Sequence, residues 1–300
     1  MGKIWHNTVF LAVVACLLWS TAFAAIKLGL PYTTPIQFAG IRFFLAGLLL
    51  VPLAMRSGNY WKAFTENSRF IIIVSLSQTF VQYALFYWGI SMIPGGITAI
   101  TIGAQPLFVA IVAHFALANE KLSMRKMMSI SLGLSGIVLI SLNKGLSGGE
   151  GSKQLWGIFL IILSNLSSGI GNVFISQMRN RTSAIFLSSW QLILGGIALF
   201  VLSLFFEPFN GFHFPVQYYL SLAWLSFLSA TAFTIWFKLL QRPGVKVSDL
   251  NVWKFVIPVF GAILSWMLIP GESADWVSVI GMVVIGVSLL WYNLQTKKGL

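Results

Sequence analysis

The chain has 300 residues, 57% of them hydrophobic and only 9% charged; soluble domains carry about 25% charged residues, so a soluble globular enzyme and a disordered chain are both excluded. Its formal net charge of +12 would suggest nucleic acid on a polar protein. On so apolar a chain the 19 Lys and Arg read first as markers of one membrane face, and no nucleic-acid partner is expected.

A membrane helix needs about 20 mostly apolar residues to cross roughly 30 Å of hydrocarbon. Apolar runs of that kind fall at roughly 7–27, 36–55, 70–91, 95–117, 126–142, 156–177, 184–205, 217–239, 247–268 and 275–293. Short polar or Gly/Pro turns separate them, such as Ile93-Pro94-Gly95-Gly96 and Gln241-Arg242-Pro243-Gly244. The ~10-residue alternation of an outer-membrane barrel is absent. The expected fold class is an all-α integral membrane protein of ten transmembrane helices, its partner the lipid bilayer.

In the first segment, Lys3, the apolar run and Ala22-Phe23-Ala24 mimic a secretory signal. The run is long for a signal, so it is read as a retained helix, with Trp19 deep inside it. The second segment carries Arg42 about seven residues from its start. In the third, Ser75, Gln78 and Gln82 are spaced three and four apart, one helical face, with Tyr83 beside them. The fourth contains Pro106, which removes a helix hydrogen bond and frees the Ile102 carbonyl, and His114 near its end. A Gly/Ser-rich stretch from Lys144 to Lys153 links the fifth to the sixth. The sixth is the least apolar: Asn165, Ser168, Asn172 and Ser176 form a stripe along one face. Trp190 and Gln191 lie within the seventh and Trp236 within the eighth. The ninth holds Lys254 one turn before Pro258, and the tenth carries almost nothing polar.

Ionisable residues inside hydrocarbon are paired, cavity-facing or near a helix end. Arg42 and Lys254 bordering one cavity would suit a carboxylate or phosphate; snorkelling to a helix end is the other role open to them. The two polar stripes face either water or another helix. Trp19, Trp190 and Trp236 either wall a substrate or fill the core, whereas Trp61, Trp156, Trp276 and Trp291 lie where interfacial anchors are expected. Pro106 and Pro258 are candidate hinges. Substrate-contact candidates are thus Trp19, Arg42, Gln78, Gln82, Tyr83, Asn165, Asn172, Trp190, Gln191, Trp236 and Lys254.

Placing the N-terminus inside puts 14 of the 19 cations on the cytoplasmic side, three outside (Lys27, Lys144, Lys153) and two, Arg42 and Lys254, within helices. Both termini are therefore expected in the cytoplasm. The halves resemble each other: Pro106 and Pro258 are 152 positions apart, as are Glu120 and Glu272, while Arg42 and Gln191, and Gly47 and Gly196, are 149 apart. Five helices is an odd number, so two such repeats, at 1–145 and 153–296, lie in opposite orientation, an architecture recurrent among secondary transporters.

Leu18-Trp19-Ser20, Ile41-Arg42-Phe43, the Pro-Leu-Phe…Glu-Lys pattern after Gln105, and Phe255-Val256-Ile257-Pro258-Val259-Phe260-Gly261 followed by Gly271-Glu272 resemble the EamA branch of the drug/metabolite transporter superfamily over nearly the whole chain. The resemblance implies ten helices, cytoplasmic termini and export of small metabolites such as amino acids across the cell (inner) membrane. A sugar-phosphate or nucleotide-type exchanger or a multidrug exporter is the alternative within the superfamily; a membrane-embedded lipid enzyme and a passive pore are alternatives outside it. No catalytic residue, metal site or cofactor is expected, since no zinc-protease motif, phosphate loop or Ser/His/Asp set with identifiable roles occurs. No Asp or Glu sits mid-helix and His114 is the sole relay candidate, so gradient-driven facilitation or exchange is expected rather than proton coupling.

Overall fold

The computed structural model describes residues 2–92, 101–143, 151–179, 181–209, 211, 213–268 and 276–298. Those residues are all-helical apart from short connections, as a chain must be when no water is present to satisfy its backbone. The helices are α1 (Gly2–Gly29), α2 (Pro35–Ser57), α3 (Tyr60–Ser75), α4 (Val81–Ile90), α5 (Gln105–Ala116), α6 (Met124–Asn143), α7 (Gly151–Gln177), α8 (Ala184–Phe206), α9 (Val216–Leu240), α10 (Val247–Asn251), α11 (Val256–Leu268) and α12 (Trp276–Lys298). Among the described residues, six spans are long and apolar enough to cross a membrane: Asn7–Tyr32, Pro35–Ser57, Tyr60–Ile90, Ser152–Gln177, Ala184–Phe206 and Val216–Leu240.

Three segments differ from the hydropathy reading. The third begins ten residues early, at Tyr60, because polar residues do not stop a helix leaving the hydrocarbon. There the Asn59 side chain accepts from the Lys62 N–H at 3.0 Å, and Lys62 pairs with Glu66 one turn on. The same segment carries a π-helical turn, Leu76–Phe80, between α3 and α4. The fourth is interrupted at Ala104, so Pro106 stands in the first turn of α5 rather than inside a kinked helix; the Leu107 and Phe108 N–H groups both turn back to the Ala104 carbonyl. The ninth is split into α10, a 3-10 stretch Val252–Phe255, and α11, with Pro258 unable to donate to the Lys254 carbonyl.

Distant carboxylates satisfy two of the helix starts. At α2, the Ile36 and Gln37 N–H groups each donate to the Glu207 carboxylate at 2.9 Å. At α10, the Glu120 carboxylate accepts from the Val247 and Ser248 N–H groups at 2.5 and 2.8 Å, and from Ser248 Oγ at 2.7 Å. Lys126 adds an ion pair to Asp249 at 2.7 Å.

Small residues let helices touch. A Cβ on Gly196 would lie 2.4 Å from the Phe44 nitrogen, and one on Gly47 would lie 2.7 Å from the Ile193 nitrogen, so α2 and α8 pack backbone to backbone. The contact is reciprocal, because Phe44 and Ile193 stand 149 positions apart, as Gly47 and Gly196 do. Helix α1 packs on α9, and α4 and α5 on α7. Helices α6 and α12 pack on each other, Ser288 Oγ donating to the Ser129 carbonyl at 2.6 Å. The turn at 93–96, residues 144–150 of the link, and Gly271 and Glu272 lie outside the described residues.

Candidate functional site

A cavity of about 160 Å³ lies among α1, α2, α4, α5, α7, α9 and the broken stretch that joins α10 to α11. Eight of the eleven candidates from the sequence line it: Trp19, Arg42, Gln78, Gln82, Tyr83, Asn165, Trp236 and Lys254. Each arrives by a feature of its helix. Gln78 sits in the π-helical turn, a local widening frequently found at functional sites. Lys254 sits in the 3-10 stretch just ahead of Pro258, where the regular helix fails.

One side of the wall is aromatic and cationic. Lys254 Nζ donates to Gln105 Oε1 at 2.9 Å and lies 5.0 Å from the Trp236 ring centre and 5.7 Å from that of Trp19. The two indoles meet edge to face, 5.3 Å apart. The guanidinium carbon of Arg42 lies 4.3 Å from the Phe43 ring centre and 5.5 Å from that of Tyr83, and the residue is only 4% exposed. Cation–π contacts recover roughly 0.5–2 kcal/mol each, well short of what a buried cation loses in leaving water. No Asp or Glu is among the lining residues. A negatively charged group entering here would meet a buried cation, Arg42, and a half-buried one, Lys254, and displace no internal anion.

Neutral amides and hydroxyls make up another part of the lining. Asn165 Nδ2 donates to the Thr101 carbonyl at 2.7 Å, Gln78 Nε2 to the Ser168 carbonyl at 3.2 Å, and Ser164 Oγ to the Gln82 carbonyl at 2.8 Å. The two polar stripes therefore face each other, and Gly171 makes room: a Cβ there would lie 2.4 Å from Gln78 Cγ. Three buried atoms on lining residues, Arg42 Nε, Gln82 Oε1 and Tyr87 Oη, have no hydrogen-bond partner among the described residues.

The other three candidates lie off the wall. Asn172 stands behind it, its Oδ1 accepting from Trp236 Nε1 at 3.0 Å and its Nδ2 donating to the Ser168 carbonyl at 2.7 Å; it fixes the tilt of a lining indole. Gln191 accepts from Thr79 Oγ1 within the packing of α8. Trp190 stacks on Tyr60 at 4.7 Å, with Phe64 and Trp61 around it. Helix α8 contributes no lining residue, because its polar and small face is taken up by α2. Pro106 borders the wall through its neighbour Gln105, and Pro258 through Ile257. His114 is elsewhere, its Nδ1 accepting from the Leu122 N–H at 3.1 Å. Gln105, Tyr87, Ser229 and Phe233 line the cavity without having stood out as candidates. Of these, Gln105 carried a usable signal: an amide next to a proline inside an apolar run. Trp61, Trp156, Trp276 and Trp291 are all exposed, and among the described residues no group of three or more His, Cys, Asp or Glu could hold a metal ion.

Apolar spans around a cavity with cationic, aromatic and amide walls define a multi-pass membrane protein with room for a small solute. The EamA-like transporter family matches the chain at residues 6–142 and again at 155–294. The uncharacterized transporter YoaV of Bacillus subtilis strain 168 is 26% identical over 294 residues, covering 97% of this chain and 99% of its own. The uncharacterized transporter YvbV of the same organism is 24% identical over 292 residues, covering 97% and 93%. A solved crystal structure superposes with a TM-score of 0.85 over 98% of both chains at 16% identity, a likeness of fold alone. The chain belongs to the EamA-like transporter family.

Proposed function

We propose that the protein is a secondary transporter of the cell (inner) membrane that exports an amino acid or a related small metabolite bearing a carboxylate. Transport proceeds by alternating access between two inverted five-helix repeats, 1–145 and 153–296, with both termini in the cytoplasm. The observation that carries the substrate class is the pairing of Arg42 and Lys254 on one wall that has no acidic residue. Trp19, Trp236 and Phe233 offer the apolar surface a side chain needs, and Gln78, Gln82 and Asn165 the donors and acceptors for an ammonium or amide. The volume, about 160 Å³, is below the roughly 300–1,000 Å³ of sites for drug-sized ligands, which favours a small metabolite over a nucleotide sugar or a drug. The repeat layout is supported by the two-part family match and by the reciprocal α2–α8 contact. The direction, export, follows the family resemblance. The relatives' names as transporters favour transport over catalysis.

Two cations suit a phosphate as well, so a sugar-phosphate exchanger is the second reading. A thermal-shift panel of amino acids, nucleosides, phosphorylated sugars and quaternary ammonium compounds on the purified protein separates the two. Stabilisation by amino acids alone is expected; stabilisation confined to phosphorylated sugars selects the second reading. In proteoliposomes Lys254→Ala is expected to lower uptake at least tenfold with normal membrane insertion. Unchanged uptake removes Lys254 from the site.

A further inference from the structure

A second concavity, separate from the central one, opens where α7 ends, α8 begins and α9 ends. It has a volume of about 800 Å³, and four cations line it: Arg179, Arg181, Lys238 and Arg242. No Asp or Glu is among its lining residues. Lys62 and Lys126, by contrast, each face a carboxylate, Glu66 at 3.7 Å and Asp249 at 2.7 Å.

The positive-inside tendency accounts for cations at these helix ends but not for their convergence on one hollow, nor for how they are held. Arg179 Nε donates to the Gln241 carbonyl at 2.8 Å and its Nη2 to the Arg242 carbonyl at 2.5 Å, tying the end of α7 to the end of α9. Arg242 Nη1 donates to Thr8 Oγ1 at 3.0 Å, and the Arg181 guanidinium carbon stands 5.0 Å from the Phe70 ring centre. Three of the four cations are thus positioned by neutral partners, and Lys238 is exposed on the last turn of α9; the acidic group of an adjoining hollow is Glu66, which shares it with Arg181 and Lys62. The first turn of α8 adds its positive helix end, since the Ser183 side chain makes no capping bond there.

We propose that this hollow binds the phosphate of an anionic phospholipid headgroup. Its place at the ends of three helices is the level where helices leave the hydrocarbon and headgroups lie, and fixed cations without carboxylates suit a phosphodiester better than a zwitterionic headgroup. A bound lipid there joins the ends of α7, α8 and α9, independently of what the central cavity carries.

The test measures binding of tail-labelled phosphatidylglycerol and tail-labelled phosphatidylcholine to the full-length protein in detergent. Wild type is expected to prefer phosphatidylglycerol. Arg181→Glu/Lys238→Glu is expected to lose at least roughly thirtyfold in affinity for it, about 2 kcal/mol for two lost cations at tenfold per 1.4 kcal/mol. Arg56→Glu/Arg69→Glu, the same charge change at exposed cations outside the hollow, is expected to stay within about threefold of wild type. Equal losses in both double variants, or equal binding of the two lipids by wild type, overturn the site. Displacement of the bound lipid by millimolar inorganic phosphate overturns the lipid assignment in favour of a soluble anion. Size-exclusion profiles and phosphatidylcholine binding keep misfolding of a variant distinguishable from loss of the site.

Discussion

Glu120 joins two distant parts of the chain through a single carboxylate. It takes two main-chain N–H groups at the start of α10 and the Ser248 hydroxyl, and it is 4% exposed. Charge-assisted bonds of this kind are about twice as strong as neutral ones, and leaving their buried donors unmatched costs roughly 1–3 kcal/mol. Glu120→Gln is therefore expected to lower the thermal unfolding midpoint of the detergent-solubilised protein by several degrees; a midpoint within error of wild type contradicts the latch. At this scale the sequence was informative where charge was rare. Arg42 and Lys254 stand out in apolar runs, and both line the cavity. Gln105 did not stand out, because its partner Lys254 is 149 residues away and nothing local announces the bond. Trp190 and Gln191 lie off the cavity wall, because the small and polar face of α8 packs against its neighbours and periodicity marks a face without naming what it meets.

At the level of elements, the two facing polar stripes set the width of the cavity. Gly171 lies where α7 comes close to the π-helical turn, and a methyl there would meet Gln78 Cγ at 2.4 Å and Ser77 Oγ at 2.8 Å. Gly171→Ala is expected to push the Gln78 amide away from the Ser168 carbonyl. Proteoliposome uptake should then fall about tenfold, consistent with roughly 1–3 kcal/mol of overpacking at the wall. The unfolding midpoint should shift less than that of Glu120→Gln; uptake equal to wild type would show that the wall tolerates the displacement. The stripes were legible because polar residues recur at helical spacing. The breaks in the fourth and ninth segments were signalled by Pro106 and Pro258, although the first interruption falls at Ala104, before the proline. The early start of α3 was not legible, because hydropathy marks where lipid begins and not where hydrogen bonding does.

For the whole molecule, the charge distribution and the reciprocal α2–α8 contact make one proposal about orientation that thiol chemistry can examine. Cys16 is the single cysteine and is fully buried, so wild type provides a silent background. Arg56 is exposed at the end of α2, and Val216 is 63% exposed at the start of α9. A membrane-impermeant maleimide added to intact cells is expected to label Val216→Cys and to reach Arg56→Cys only after the membrane is opened. The reverse pattern inverts the topology. Fourteen of the 19 cations fall on the face read as cytoplasmic, four of those fourteen in the hollow at the ends of α7 and α9, and two others line the cavity wall.

The Glu207 carboxylate at the start of α2 grips the main-chain N–H groups of Ile36 and Gln37 and neither of their side chains. Such an anchor is blind to the identity of the residues it holds. The anchor itself asks of positions 36 and 37 only that neither is proline, and what constrains them is the burial of their side chains, at 2% and 3% exposure; position 207 has little latitude in either charge or reach. The two sides of this junction are accordingly held to different standards: the acid by the bonds it makes, and the pair opposite it by packing alone.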